Sequence, residues 1–362
     1  MGVAQAHLEI DLRAIVANYE WLRHAAPAAK MAAVVKADGY GLGAAAIVES
    51  LLQAGCTTFF VSRLEEGIEL RQLFDEPEIF VLDGLTGIDS RDVLEFGLVP
   101  VLNHEGDLEA WTKAARQANK SLPAAVHWDT GMSRLGFSRR ALDRLGEQAW
   151  RGLKARYVMS HLACAETPGH EMNSLQRDRL LAIGQHFRDV PLSLANSAGV
   201  MLGADYQFGL CRPGIALFGG NPVPSMPNPL RPVVRLMASV LQIHEIETPG
   251  SVGYGATYAT RPGMRLATLG LGYGDGLLRA ASNALSLELD GIALPIAGRI
   301  SMDLLSLDIT KLPAGRLAPG DWMPVIQGPG GIDRWSRAAD TIPYELLTRL
   351  GTRLKRHYIP PL

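Results

Sequence analysis

Long apolar runs, cysteine and net charge are all scarce in this 362-residue chain, and each shortage excludes a class of protein. No run approaches the roughly 18 apolar residues that a membrane-spanning helix requires, and the N-terminus lacks the basic start and apolar core of a signal peptide. Cys56, Cys164 and Cys211 are far apart and form no CxxC pair, so we expect free thiols in a reducing, cytoplasmic compartment and no metal site. A formal net charge of -2 gives no reason to expect a nucleic-acid or membrane partner.

What the chain does contain is an alternation of short β-rich runs with longer segments of helical periodicity, beginning at Met31. The candidate strands are residues 31–36, 58–62, 79–82, 98–102, 124–128, 157–161, 191–195 and 208–212. Candidate helices between them include residues 44–54, 64–73, 105–118, 139–150 and 173–187. Eight strands separated by helices predict an α/β fold, an N-terminal TIM-like (β/α)8 barrel.

The alternation of candidate strands and helices ends at a proline-rich stretch at residues 221–234, NPVPSMPNPLRPVV. This stretch is the best candidate for a linker. The segment beyond it contains Asp290-Gly291 between apolar runs, a dipeptide that tolerates the positive φ of a tight hairpin turn. We therefore predict two domains: a barrel over residues 1–231, and a smaller, mainly β domain over residues 232–362.

Reactive and charged residue types follow several of the candidate barrel strands. Active sites of such barrels lie at the C-terminal ends of the strands, which is where these residues fall. They are Lys36, Arg134, His161, Asn196, Ser197 and Arg212.

The loops after the last two strands, NSAG and RPGI, offer a hydroxyl group, glycines and free backbone N–H groups. Such groups suit a phosphate, although two ordinary loops are an alternative interpretation. Lys36 by itself is most simply a solvent-facing lysine at the end of a strand. A lysine opposite a phosphate site instead suggests pyridoxal phosphate held as a Schiff base.

Eight segments resemble, in order and along nearly the whole chain, the motifs of bacterial alanine racemase. They are AVVKADGYGLGA, DTGMSRLGF, SHLACAE, LANSAG, CRPGIALFG, VGYGATY, LGYGDG and GRISMD. The resemblance implies that Lys36 carries pyridoxal 5'-phosphate and that Arg212 faces the pyridine nitrogen. It also implies a set of further cofactor-binding residues: Tyr40, Arg134, His161, Asn196, Ser197, Gly214, Ile215 and Tyr344.

Racemisation requires acid–base groups on opposite faces of the substrate Cα. The resemblance assigns these roles to Lys36 and Tyr254, with His161 supporting the tyrosine. Without it, Tyr254 would be interpreted as a packing residue in a turn.

Arg134 and the backbone N–H of Met302 match the family's contacts with the substrate carboxylate. The residues that resemble the lining of the access corridor are Tyr273, Arg279, Arg299 and Asp303. The family also implies a head-to-tail homodimer in which the β domain of one chain completes the barrel of the other.

One departure from the family pattern is His127 in AVHWDTG. Many members have at this position a carbamylated lysine that supports the neighbouring arginine, and histidine cannot form that stable carbamate. We expect either a neutral imidazole or a bound anion beside Arg134.

The sequence thus predicts a cytoplasmic alanine racemase that interconverts L- and D-alanine and, by family analogy, supplies D-alanine for peptidoglycan. Three alternatives stay open: a racemase of broader specificity, a barrel-type decarboxylase of basic amino acids, and a non-catalytic pyridoxal-phosphate carrier. The carrier resembles the barrel alone and does not explain the residues after the linker.

Overall fold

The N-terminal half of the chain alternates strands and helices in a computed structural model that describes residues 5–150 and 153–361. Its strands are β1 (Ala6–Asp11), β2 (Lys30–Met31), β3 (Ala33–Val34), β4 (Thr58–Val61), β5 (Glu78–Val81), β6 (Val99–Leu102), β7 (Leu122–His127), β8 (Leu153–Met159), β9 (Leu192–Ser193) and β10 (Leu210–Cys211). Its helices are α1 (Leu12–Ala25), α2 (Lys36–Gly41), α3 (Ala44–Gln53), α4 (Leu64–Leu73), α5 (Ser90–Glu95), α6 (Glu105–Gln117), α7 (Arg139–Leu145), α8 (Glu171–Gly184), α9 (Ser197–Met201) and α10 (Ala204–Gln207).

Strands β3 to β9 pair in chain order in one parallel sheet, and β2 pairs in parallel with β10. Strands β9 and β10 are joined by hydrogen bonds from Gly209 N–H to the Leu192 carbonyl (3.0 Å) and from Arg212 N–H to the Ala195 carbonyl (2.9 Å). Because β2 and β3 are two pieces of the first predicted strand, eight strands close into a cylinder. The predicted (β/α)8 barrel is confirmed.

Element bounds depart from the predictions where local chemistry interrupts the pattern. The helix predicted over 64–73 is confirmed, whereas the strand predicted over 31–36 ends at Val34 because Lys36 begins a turn. The helix predicted over 139–150 ends at Leu145, since Gly146 has a φ of 63° and a 3-10 turn follows at Glu147–Trp150.

The C-terminal part of the chain is mainly β, as predicted. Its strands are β11 (Val234–Glu245), β12 (Gly250–Val252), β13 (Tyr258–Thr260), β14 (Arg265–Leu269), β15 (Ser286–Leu289), β16 (Ile292–Pro295), β17 (Leu305–Asp308), β18 (Trp322–Ile326) and β19 (Lys355–Ile359). The helices α11 (Gly331–Ala338) and α12 (Pro343–Arg349) lie between the last two strands. The predicted hairpin is confirmed, because β15 and β16 are joined by Asp290 (φ 53°) and Gly291 (φ 77°).

The main C-terminal sheet has the order β17-β14-β11-β1-β19, with β18 also paired to β11. It therefore includes β1 from the start of the chain, which pairs antiparallel with β11 and parallel with β19. Strand β1 alternates buried Leu8 and Ile10 with the more exposed His7 and Glu9, the pattern of a strand with one face in the core. The division at residues 231/232 stays a prediction.

In the described part of the chain, none of the helices combines the length and apolar character needed to span a membrane.

Candidate active site

A cavity of about 460 Å³ opens at the C-terminal ends of the barrel strands. All the residues that the sequence predicts to bind the cofactor line it: Lys36, Tyr40, Arg134, His161, Asn196, Ser197, Arg212, Gly214, Ile215 and Tyr344. Tyr344 comes from α12, and the others follow barrel strands. The barrel thus converts residues scattered over the sequence into one lined cavity.

Lys36 stands at the start of α2, which is a left-handed turn. The φ angles of Ala37, Asp38, Gly39 and Tyr40 are 53°, 51°, 61° and 59°. Left-handed backbone costs roughly 1–2 kcal/mol for each residue that carries a Cβ, so neighbouring groups must stabilise this turn. A Cβ on Gly39 would lie 2.7 Å from the Ile47 side chain, so close packing also requires glycine there.

The amine of Lys36 is largely buried and lies near charges of both signs. Burial lowers the pKa of Lys36 and the charge of Arg134 lowers it further, while the carboxylates of Asp83 and Glu66 act in the opposite direction. A lowered pKa increases the fraction of neutral amine, which is the nucleophilic form.

Arg212 is a buried cation, 4% exposed, with no carboxylate partner among the described residues. Its guanidinium donates to Ser193 Oγ and, over 2.6 Å, to the Ser160 carbonyl. Burial lowers the pKa of Arg212 to about 10, so the group is still charged at neutral pH. A buried charge of this kind is costly unless something else in the site compensates it.

The part of the cavity wall around Ser197 presents hydrogen-bond donors. Ser197 Oγ accepts from Gly214 N–H (2.9 Å) and Ala216 N–H (3.2 Å), which leaves its own proton for a ligand. The N–H groups of Ser197 and Ile215 donate to no acceptor within the described residues. A Cβ on Gly214 would lie 2.0 Å from the hydroxyl of buried Tyr40, so backbone and hydroxyl meet here without an intervening side chain.

These observations fit pyridoxal phosphate. The free N–H and hydroxyl donors suit its phosphate, the amine of Lys36 suits its aldehyde, and the unpaired guanidinium of Arg212 suits its ring nitrogen.

Two histidines in the cavity wall are neutral. His127 Nδ1 donates to Asn103 Oδ1 (2.7 Å), because the Asn103 amide nitrogen already donates to the carbonyls of Leu82 and Val101. Burial, followed by the charges of two arginines, lowers the pKa of His127 to about 4, and the pKa of His161 falls well below its usual range for the same reasons. Within the described residues the Arg134 guanidinium forms no hydrogen bond, so His127 does not hold it in the isolated chain.

The remaining predicted site residues lie outside the cavity. Tyr254 (68% exposed), Tyr273 (41%) and Met302 (55%) are on the surface of the C-terminal region. Hydrogen bonds link two of their loops, because Tyr273 N–H donates to the Ser301 carbonyl and Gly274 N–H to the Met302 carbonyl. We call this group, with the exposed residues Arg279, Arg299 and Asp303, the C-terminal face.

Sequence reasoning missed several polar residues of the site. Ser62 and Asp83 line the cavity and are hydrogen bonded to each other over 3.0 Å, and Asn103 orients His127. Each follows a barrel strand, so the rule that found the other site residues applied to these as well. Glu66 lies in the first turn of α4, where the sequence shows only a capping pattern.

A (β/α)8 barrel with a lysine, a buried arginine and a donor-lined pocket at its mouth, followed by a β domain, defines the barrel class of pyridoxal-phosphate enzymes. The chain matches the family of the alanine racemase N-terminal domain over residues 10–222 and that of the alanine racemase C-terminal domain over residues 233–358. It therefore belongs to the alanine racemase family.

Individual relatives agree with this membership. The catabolic alanine racemase of Agrobacterium fabrum is 43% identical over 99% of this chain and 94% of its own length. The alanine racemase of Rhodospirillum rubrum is 42% identical over 98% of this chain and 96% of its own. A crystal structure of alanine racemase from Bartonella henselae with covalently bound pyridoxal phosphate superposes with a TM-score of 0.93 at 39% identity, covering 99% of this chain and 100% of that one. The predicted enzyme class, an amino-acid racemase, and the predicted cofactor, pyridoxal phosphate, are confirmed.

Proposed function

We propose that this protein interconverts L-alanine and D-alanine by removing the Cα proton on one face and returning a proton on the other. The observation that carries the proposal is the cavity in which Lys36 shares one space with the unpaired Arg212 guanidinium and the free donors around Ser197. Family membership favours racemisation over the decarboxylase and carrier alternatives.

Lys36 is proposed to bond covalently to the cofactor and, once substrate releases it, to serve as one acid–base group. When bound, pyridoxal phosphate withdraws electrons and so acidifies the Cα–H of the attached amino acid. The residues proposed to hold the phosphate are Tyr40, Ser197, Gly214, Ile215 and Tyr344, with Asn196 beside them. Arg212 is proposed to face the ring nitrogen. Since a guanidinium retains its proton, Arg212 would leave that nitrogen unprotonated, which would make the ring a weaker electron sink and favour return of the proton to Cα.

We propose Tyr254 as the second acid–base group, acting on a cofactor in the barrel of a partner chain and supported there by His161. In support of this, Tyr254 and Met302 are 68% and 55% exposed, whereas Tyr344 alone among the described residues beyond the linker lines the cavity. A head-to-tail homodimer would bring each C-terminal face to the cavity of its partner, exclude water, and form two equivalent sites.

The substrate carboxylate is proposed to bind Arg134 and the backbone N–H of Met302. Both groups are available, because among the described residues neither donates to an acceptor. Tyr273, Arg279, Arg299 and Asp303 are then proposed to line the access corridor across the dimer interface.

We propose a cytoplasmic location, consistent with the three free thiols of the structure, and a role in supplying D-alanine for peptidoglycan. A second role, the breakdown of alanine, is favoured by one observation, the word catabolic in the name of the Agrobacterium fabrum relative. A deletion strain that requires D-alanine for growth supports the first role, and a strain that fails only to grow on alanine as carbon source supports the second.

The reaction is tested with purified protein loaded with pyridoxal phosphate and incubated with each L-amino acid in deuterium oxide. Chiral analysis is expected to show D-alanine labelled at Cα, with little D-isomer of larger amino acids. The Lys36→Ala variant serves as the control for contaminating racemase. Absence of D-alanine with the wild-type protein would refute the proposal, and comparable formation of several D-amino acids would favour a broader racemase.

A further inference from the structure

Glu66 is the residue whose contacts the proposed mechanism leaves unexplained. Its Oε2 atom accepts hydrogen bonds from Ser62 N–H (2.8 Å) and Arg63 N–H (3.1 Å), which caps the start of α4. Its Oε1 atom accepts a third, from Ala37 N–H at 2.6 Å, although Ala37 is 29 residues away in the sequence. The capping role accounts for the first two bonds and not for the third.

Ala37 directly follows Lys36 and is the first residue of the left-handed turn. Three of the residues with positive φ in this turn, Ala37, Asp38 and Tyr40, carry a Cβ, so the conformation is not favoured by the sequence alone. At the other end of the turn the Arg356 guanidinium donates twice to the Gly41 carbonyl, at 2.7 and 3.1 Å. Groups from other elements thus fix the turn at both ends.

We propose that Glu66 is a positioning residue for Lys36. Its carboxylate holds the peptide group between Lys36 and Ala37, and this fixes the direction in which the Lys36 side chain enters the cavity. The inference rests on the proposed function only in that Lys36 is the residue that bonds to the cofactor.

The chemistry of the contacts requires a carboxylate. Both oxygens of Glu66 act as acceptors, one toward Ala37 and one toward the start of α4. A glutamine of the same size has one oxygen and one NH2 group, so in either orientation a donor faces a donor. The amide oxygen can satisfy two N–H groups at the start of α4 and only one at Ala37, so the bond to Ala37 is the one expected to be lost.

Glu66→Gln is therefore compared with Glu65→Gln in the holoenzyme and in the apoprotein. Glu65 is the neighbouring residue in the same helical turn, is exposed, and forms no hydrogen bond with the described residues, so it provides an identical change of charge. Amide hydrogen exchange over residues 37–42, measured by mass spectrometry, needs no activity. It is expected to accelerate at least about tenfold in Glu66→Gln, the scale of one lost hydrogen bond to a charged group.

Two further readouts separate positioning from folding stability. Covalent capture of added pyridoxal phosphate by the apoprotein, followed by visible absorbance and circular dichroism, is expected to slow about tenfold or more in Glu66→Gln. The kcat for alanine is expected to fall about 10- to 100-fold with KM changed less than about twofold, because a small misplacement of a reacting group acts mainly on chemistry. Glu65→Gln is expected to match the wild-type protein.

The inference is overturned if Glu66→Gln has a lower melting temperature but normal exchange over residues 37–42, normal cofactor capture and normal kcat. Should Glu66→Gln fail to fold, Glu66→Asp provides the test, since it keeps both oxygens for the start of α4 and is too short to reach Ala37 as well. Wild-type exchange and kcat in Glu66→Asp would equally overturn the inference. If instead Lys36→Ala captures the cofactor normally, the proposed function fails, while the exchange comparison still reports on the turn.

Discussion

Complementation between two inactive variants gives the sharpest test of the split site. Lys36→Ala removes the amine in the cavity, and Tyr254→Ala removes the phenol of the C-terminal face. Because Tyr254 is 68% exposed within one chain, its truncation is expected to change the folding stability of that chain by less than about 0.5 kcal/mol, so loss of activity would not reflect unfolding.

The magnitude follows from the symmetry of the proposed dimer. In a mixed dimer with shared sites, one site combines both defects and the other combines an intact barrel with an intact C-terminal face. Each mixed dimer therefore has about half of the wild-type activity, and random reassortment, in which half of the dimers are mixed, gives roughly a quarter. If each chain forms its own site, no intact site exists in any dimer.

The assay uses co-expressed chains that carry two different affinity tags, so that the mixed dimer is isolated by two successive purifications and its alanine racemisation is measured. A reciprocal control pairs the wild-type chain with the double variant Lys36→Ala/Tyr254→Ala. Shared sites predict that this dimer is inactive, whereas sites within one chain predict about half of the wild-type activity. An inactive first dimer together with a half-active second one would refute the shared site.

Three further predictions concern residues within one chain. Gly214→Ala should weaken retention of pyridoxal phosphate at least about tenfold after dialysis, since its Cβ would lie 2.0 Å from the Tyr40 hydroxyl. Retention is measured by visible absorbance and compared with Gly169→Ala, whose Cβ meets nothing within 4 Å. Equal retention in the two variants would contradict this prediction. The pKa of His127 is lowered to about 4 in the folded protein, so its neutral form contributes stability that is lost as the pH falls from about 6.5 to 4. His127→Asn should reduce this acid-induced loss of stability by about 3 kcal/mol in urea titrations, and identical profiles of unfolding free energy against pH in the variant and the wild-type protein would exclude the effect. Because histidine forms no stable carbamate, the activity of the wild-type protein should not depend on added bicarbonate. Arg356→Ala should lower the free energy of unfolding by about 2–4 kcal/mol, since the guanidinium donates to several backbone carbonyls, and an unchanged urea midpoint would show that water replaces these bonds.

The barrel was predictable from the sequence because its strands and helices each have a recognisable pattern of apolar residues. The helix over 64–73 has the predicted bounds, and every candidate strand overlaps an observed one. The predicted ends were less accurate where a backbone feature rather than a side-chain pattern decides them. Strand one is interrupted at Ala32 and stops before Lys36, and neither break changes the apolar pattern that suggested the strand.

The set of residues around the cavity was predictable where they directly follow barrel strands. It was not predictable where a residue acts on the backbone of a distant segment. Glu66 shows this difference, because a capping pattern explains its presence in α4 and gives no sign of the bond to Ala37. Asn103 follows a barrel strand, so its position at the end of the barrel was predictable, whereas no sequence pattern indicates its hydrogen bond to His127 of the neighbouring strand.

The sequence pattern gives no indication that strands from both ends of the chain meet beside the turn that carries Lys36. Strand β1 lies in the C-terminal sheet next to β19, and β19 carries Arg356, which holds the Gly41 carbonyl at the end of the left-handed turn. Tyr358 of the same strand donates to the Leu42 carbonyl over 2.9 Å. A strand at the very start of the sequence therefore positions the last strand, and the last strand positions the turn that carries Lys36. The geometry of the amine depends on the C-terminal sheet within each chain, even though the C-terminal face of that chain is proposed to serve the partner's cavity.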